Sequence, residues 1–173
     1  MRKNIFYVTI AFISTFATDV IADGTCSPPL TPHTVVGSIA TTNVGQSVQV
    51  GTIYIKLFSE GDDPESAVPV FEEDGGIVGR IDSINTDVYP ITATLNHHIV
   101  TTNGGTIDTN GDQAMMTPLS DCYFQVSEII SNLQGTKEFK KVSGEVFAEG
   151  TVSFCEGANG NNFELSGTVC FQP

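Results

Sequence analysis

The chain has 173 residues, with 20 acidic against 7 basic side chains, a net charge of −13, 4 cysteines and no tryptophan. That charge repels phosphate backbones and anionic lipid surfaces, which excludes nucleic acid as a partner. No stretch approaches the ~20 consecutive apolar residues of a spanning helix, so no membrane span is expected.

Arg2 and Lys3 open the chain, and an apolar run from Ile5 to Ala17 follows. Val20-Ile21-Ala22 then places small or apolar residues where a signal peptidase reads. This pattern predicts a secretory signal peptide over residues 1–22 and a secreted or periplasmic product. Residues 23–173 remain, enough for one domain with a real core. Cleavage removes Arg2, Lys3 and Asp19 and leaves 5 basic against 19 acidic side chains, a net charge of −14. All four cysteines lie in the exported part, which predicts two disulfides.

Pro28, Pro29 and Pro32 mark residues 23–33 as an irregular arm, tied down by Cys26. Strands are predicted over Val35–Thr41 and Ser47–Phe58, followed by the acidic loop of Ser59–Ser66, which contains Glu60, Asp62, Asp63 and Glu65. Ala67–Phe71 reads as a short edge strand, because Pro69 has no N–H to give a ladder. Glu72-Glu73-Asp74-Gly75-Gly76 reads as a turn. Ile77–Ile84 and Tyr89–Thr101 are strands, and Asn103-Gly104-Gly105 is a hairpin turn. Thr106–Asp108 and Ala114–Leu119 are short strands around a polar turn. Cys122–Leu133 and Val142–Cys155 form a hairpin, with Ser127–Gln134 the one place for a helical turn. Phe163–Phe171 closes the set.

The last strands show the pattern best. Val146, Ala148, Gly150, Val152 and Phe154 fall on one face, and Glu145, Phe147, Glu149, Thr151 and Ser153 on the other. A period of two with one apolar face marks half-buried antiparallel strands. Glycines recur inside strands at positions 37, 51, 79, 105, 150 and 167, which suits a strongly curved sheet. Together these features predict an all-β antiparallel barrel of eight to ten strands, with a β-sandwich as the alternative. Its inward set is Ile53, Ile55, Leu57, Ile91, Leu95, Phe124, Val126, Ile130, Val146, Val152, Phe154, Leu165 and Val169.

The same pattern constrains the disulfides. A final hairpin across Gly157–Asn162 sets Cys155 opposite about Phe163, and Cys170 then lies about 23 Å further along the strand. A disulfide needs Cα atoms within about 7 Å, so Cys155–Cys170 is excluded and two connectivities remain. A hairpin turning near Lys137 brings Cys122 opposite about Val152, three residues short of Cys155, although the face parity of the two cysteines opposes a bond.

The stretch Gly135–Val169 resembles the C-terminal part of the dirigent and allene-oxide-cyclase-like barrel group. The shared features are Gly135-Thr136, Phe139, Val142-Ser143-Gly144, Ala148-Glu149-Gly150-Thr151-Val152 and Leu165-Ser166-Gly167-Thr168-Val169. Lys137 stands where that group tends to carry a second glycine. The resemblance implies an eight-stranded antiparallel barrel with an apolar cavity, often as a homo-oligomer. It also implies a disulfide between the arm and the last strand, here Cys26–Cys170, which leaves Cys122–Cys155. No catalytic residue carries over.

Chemistry has few places to sit. His97 shares a face with Ile91, Ala93, Leu95 and Ile99, and Glu128 shares one with Phe124, Val126 and Ile130. An inward imidazole and carboxylate in an apolar cavity are the candidate acid and base. With Leu95, Phe124 and Val126 they make the candidate ligand-binding set. His97 and His98 are neighbours on a strand and point to opposite faces, and His33 lies in the arm, so no metal site is expected. Asp108-Thr109-Asn110-Gly111-Asp112 opens like a calcium loop, but Gln113 and Leu119 stand where the sixth-position glycine and twelfth-position glutamate belong. It reads as a polar turn. Nucleophile motifs are absent. The expected function is that of an exported acidic barrel, a non-catalytic binder of a small apolar molecule or a structural surface module. The alternative is a cofactor-free cyclase or isomerase using His97 and Glu128. No cofactor is expected.

Overall fold

The computed structural model describes residues 26–157 and 160–172. The predicted signal peptide, residues 1–22, lies outside the described residues. Ten strands form one antiparallel sheet: β1 (Thr31–Asn43), β2 (Val48–Ser59), β3 (Phe71–Asn85), β4 (Ile91–Thr101), β5 (Thr106–Asp108), β6 (Asp112–Pro118), β7 (Tyr123–Ile130), β8 (Gln134–Gly135), β9 (Ser143–Ser153) and β10 (Gly160–Phe171). Eight of them close a barrel in the order β3-β2-β1-β10-β9-β7-β6-β4, and β3 pairs with β4 to complete the ring. Closure leaves β5 and β8 as a short extension beside β4. The predicted barrel is therefore observed, and the sandwich is not.

Alternation drives the wall. Along β10, Phe163, Leu165, Val169 and Phe171 are buried while Glu164, Ser166 and Thr168 face out. Close packing of the curved sheet needs glycine where strands nearly touch. A Cβ at Gly37 would sit 2.2 Å from the Tyr54 carbonyl oxygen, and one at Gly51 1.9 Å from that of Ala40. Outward positions in mid-strand carry Glu149 and Glu164, which face each other across β9 and β10. No described helix is long and apolar enough to cross a membrane.

The two ends differ. Thr31, Ser59, Phe71 and Phe171 gather at one end by register. There Phe71, Phe139 and Phe171 pack as a three-ring plug with centroids 5.0–5.7 Å apart. A 3-10 turn, Lys137–Phe139, delivers the middle ring. Cys26–Cys170 staples the arm to this end. The far end holds Asn43, Ser153 and the second disulfide, Cys122–Cys155. Both predicted disulfides are present, and Cys155–Cys170 is not a pair.

Several local expectations are corrected. Glu72–Gly76 is strand, not turn. Glu72 and Asp74 face solvent, Glu73 turns inward, and Gly75 approaches β4 so closely that a Cβ would meet the Val100 carbonyl oxygen at 2.6 Å. Glu73 is satisfied there by the Thr102 hydroxyl and by the N–H and Nδ2 groups of Asn103. Ala67–Val70 is not strand, since Ala67 N–H turns back onto the Asp63 carbonyl. The arm ends at Leu30, so His33 belongs to β1 and is buried beside Phe171. Ser127–Ile130 is strand, and the helical turn falls at Lys137–Phe139. Cys122 lies opposite Phe154 rather than Val152, because Phe124 pairs with Val152. Cys155 has already left β9, so strand parity no longer governs where it points.

Candidate functional site

The barrel centre is polar. His97 on β4 lies opposite Gly79 of β3, and that glycine makes its room: a Cβ there would stand 3.2 Å from the imidazole. Glu128 on β7 lies between Ala114 of β6 and Ala148 of β9, small residues that leave space for a long side chain. The structure places both predicted residues inside, as parity implied. His98 points outward, its Nδ1 2.6 Å from the Asp108 carboxylate.

The structure adds a third member, Asp112, which is fully buried. β4 pairs with β5 through His98–Val100 and with β6 through Ile91–Leu95. Between those segments the chain loops over residues 109–111. Thr109 clamps the loop to β4: its N–H donates to the His97 carbonyl (2.9 Å) and its hydroxyl accepts the His97 N–H (2.8 Å). The loop therefore enters β6 with Asp112 pointing inward. This region is not a calcium loop, because Asp108 stays at the surface while Asp112 turns into the barrel.

Asp112 Oδ2 accepts from His97 Nδ1 at 2.8 Å and from the Thr109 hydroxyl, and Oδ1 accepts the Ser131 N–H at 2.9 Å. An acceptor-only carboxylate fixes the imidazole proton on Nδ1. Glu128 Oε1 lies 3.7 Å from the same Nδ1 and has no hydrogen-bond partner. Burial drives the Glu128 carboxyl up to about 7, the Asp112 charge adds to that rise, and His97 works against it. Burial pulls the His97 imidazole down, but its bond to Asp112 and the charges of Glu128 and Asp112 outweigh burial and raise it. His97 and Glu128, both raised, share this buried layer with the Asp112 carboxylate. Their donor atoms lie within 4.8 Å of one another, so the set is also able to hold a metal ion.

Space around this array is scarce. One void of about 10 Å³ is bordered by Thr41, Gln49, Gly79, His97 and Glu128. Another of about 20 Å³ is bordered by Leu95, Val126, Glu128, Val152 and Phe154. Each is the size of a water molecule. A third, of about 50 Å³, is wholly apolar and lies behind the phenylalanine plug, bordered by Val35, Ile53, Leu57, Ile99, Ile130 and Leu165. The predicted apolar cavity is thus small, and it does not include His97 or Glu128. Nor are those two the only ionisable groups turned inward, since Asp112, Glu73 and His33 are buried as well.

Two larger spaces lie outside the core: a groove of about 580 Å³ on the outer wall, bordered by Ala40, Tyr54, Asp74, Gly76 and Val100, and a cleft at the open end. That cleft, of about 710 Å³, is bordered by Ile84, Ile91, Met116, Phe124, Phe154 and the Cys122–Cys155 bridge. Phe154 was predicted to face the core. It keeps that direction but lies beyond the last pairing of β9, remains 38% exposed, and packs edge-on to Phe124 at 5.9 Å. Met116 and Phe154 border both the cleft and the void beneath it. Of the predicted ligand-binding set, Phe124 lines the cleft, Leu95 and Val126 lie in the core, and His97 and Glu128 form the polar layer below. No protein-family model, curated protein or solved structure matches this chain.

Proposed function

We propose that this protein is an exported, non-catalytic binding module that takes a small apolar molecule into the open mouth of its barrel. The observation that carries the reading is the contrast in space. The mouth offers about 710 Å³ lined by Ile84, Ile91, Met116, Phe124 and Phe154, with Asn43, Asp121 and Glu156 also bordering it, whereas the voids described inside the barrel measure about 10–50 Å³. Clefts of 300–1,000 Å³ with apolar and aromatic lining suit small organic ligands. Kinship with the dirigent and allene-oxide-cyclase-like barrels belongs to this proposal, on the C-terminal residues that carry the resemblance. The alternative, a cofactor-free cyclase or isomerase, has its proton chemistry in His97 and Glu128. The geometry lends it less support, because water-sized voids do not admit an organic substrate.

The test is mass spectrometry of natively purified protein for a bound apolar molecule, with titration of an environment-sensitive apolar fluorophore. Phe154→Ser should weaken fluorophore binding at least ~10-fold, since burying a phenylalanine side chain is worth about 1.5–3 kcal/mol. Unchanged binding by that variant would remove the mouth as the site.

A further inference from the structure

We infer that His97, Asp112 and Glu128 form a binding site for a single divalent zinc ion, with His97 Nδ1 and one oxygen of each carboxylate as ligands. The inference stands apart from ligand capture at the mouth. The donor atoms come from three different strands and converge to within 4.8 Å of one another in the barrel centre. Two of the separations, Nδ1 to Asp112 Oδ2 and Nδ1 to Glu128 Oε1, are 2.8 and 3.7 Å. Ligands about 2.1 Å from a tetrahedral ion lie about 3.4 Å apart, so the triad needs only small adjustment. Glu128 Oε1 is the second observation. It is buried, it has no hydrogen-bond partner, and it is aimed at the His97–Asp112 pair. A buried carboxylate oxygen left without a donor needs a cation or a proton.

The chemistry of the set selects the ion. Two carboxylates and a neutral imidazole balance a divalent charge. One imidazole nitrogen with two carboxylate oxygens suits zinc, which takes three protein ligands and a water in four-coordination. The adjoining water-sized voids have room for that fourth ligand. Calcium requires six to eight oxygens and does not fit. Asp112 is already oriented by the Ser131 N–H and the Thr109 hydroxyl, the outer-shell support that metal-binding carboxylates use. On binding, zinc takes the place of the Nδ1 proton: an imidazolium releases it to solvent and a neutral ring carries it on Nε2 instead, so His97 ligates as a neutral imidazole, and a protonated Glu128 carboxyl releases its proton to solvent as well.

The experiment uses chelator-treated protein with its disulfides intact. One sample is incubated with zinc chloride. A second is unfolded and refolded in zinc chloride, because the site is enclosed. Bound metal is counted by plasma mass spectrometry after gel filtration, alongside thermal melts. The expected result is about one zinc per chain in the refolded sample and a raised melting temperature. Glu128→Gln, which removes no hydrogen bond, should bind zinc at least ~10-fold more weakly. His98→Ala, at the exposed His98–Asp108 pair, should bind as the parent does. Calcium chloride should give no melt shift that Glu128→Gln abolishes. Absence of zinc in both samples overturns the inference. So does zinc binding undiminished in both Glu128→Gln and Asp112→Asn, which would place the ion on surface carboxylates.

Discussion

Replacing Glu128 by glutamine separates the buried carboxyl from every other acidic group in the chain. In the folded protein the Glu128 carboxyl is pushed up to about 7 from 4.5, by burial first and by Asp112 second. The gap of about 2.5 units corresponds to roughly 3 kcal/mol at about 1.36 kcal/mol per unit. A folded value above the unfolded one means that the native state holds the proton more tightly. Its stabilisation is full below about 4.5 and is lost as pH rises through about 7. The imidazole of His97 is raised as well, so its contribution is present below 6.5 and falls away above it, in the same direction. Metal-free parent protein should therefore lose stability between pH 5 and pH 8. Relative to the parent, Glu128→Gln should gain up to about 3 kcal/mol between pH 5 and pH 8, on top of a pH-independent cost of the amide in a site without a partner. Urea unfolding followed by far-UV circular dichroism is the assay, since the chain has no tryptophan to report by fluorescence. Acid also relieves repulsion among the surface carboxylates, but equally in both proteins, so the difference between them isolates position 128. A difference that stays constant from pH 5 to pH 8 would refute the buried array.

Val152→Asp places a carboxylate where a buried side chain packs beside Phe124 of the neighbouring strand, and should destabilise the fold by several kcal/mol in thermal melts. Removing Cys122–Cys155 as a double serine variant opens a loop of 33 residues and should cost about 4 kcal/mol on the chain-entropy relation, read by urea unfolding. Removing Cys26–Cys170, with a separation of 144, should cost about 1 kcal/mol more by the same measurement. Lys137 has φ 52°, the left-handed region that glycine enters without strain, so Lys137→Gly should be neutral or stabilising by up to about 1 kcal/mol in a thermal melt. The bond from Lys137 Nζ to the Asn103 carbonyl offsets part of that gain.

The wall of the barrel was legible because alternation is a local property. Val146, Ala148 and Val152 share a face in any sheet, and so do His97 and Leu95. What closes the ring and what points at His97 are not local. Asp112 sits in a run of polar turn residues, and only the passage from β5 to β6 turns it inward. The signal was nevertheless present, since Asp112, Ala114 and Met116 alternate with Gln113 and Met115. A strand begun two residues earlier than predicted would have placed Asp112 inside. The opposite error occurred at Glu72–Gly76. Charge and glycine there read as a turn, yet the glycines serve close strand contact and Glu73 finds three donors in the turn that follows the neighbouring strand β4.

The contrast between the two ends supports the proposed binding surface more than any single residue does. At the closed end, the Lys137–Phe139 turn brings a third ring onto Phe71 and Phe171, and the Cys26 staple holds the arm beside them. At the open end the corresponding rings among the described residues are two, Phe124 and Phe154, and both border the cleft. The Cys122–Cys155 bridge fixes the chain at the rim just where β9 ceases to pair, so Phe154 is held near the mouth with no third ring to cover it. Between the ends lies the layer of His97, Asp112 and Glu128, and Met116 and Phe154 border both the cleft and the void that reaches Glu128. An apolar molecule in the mouth would rest on those two side chains rather than on the charged layer. Its affinity should therefore follow substitutions at Phe154 and be insensitive to Glu128→Gln, whereas zinc content should show the reverse pattern. A fluorophore titration and a metal count on the same two variants compare these dependences directly, and a common response of both ligands to either substitution would mean that mouth and layer are one site.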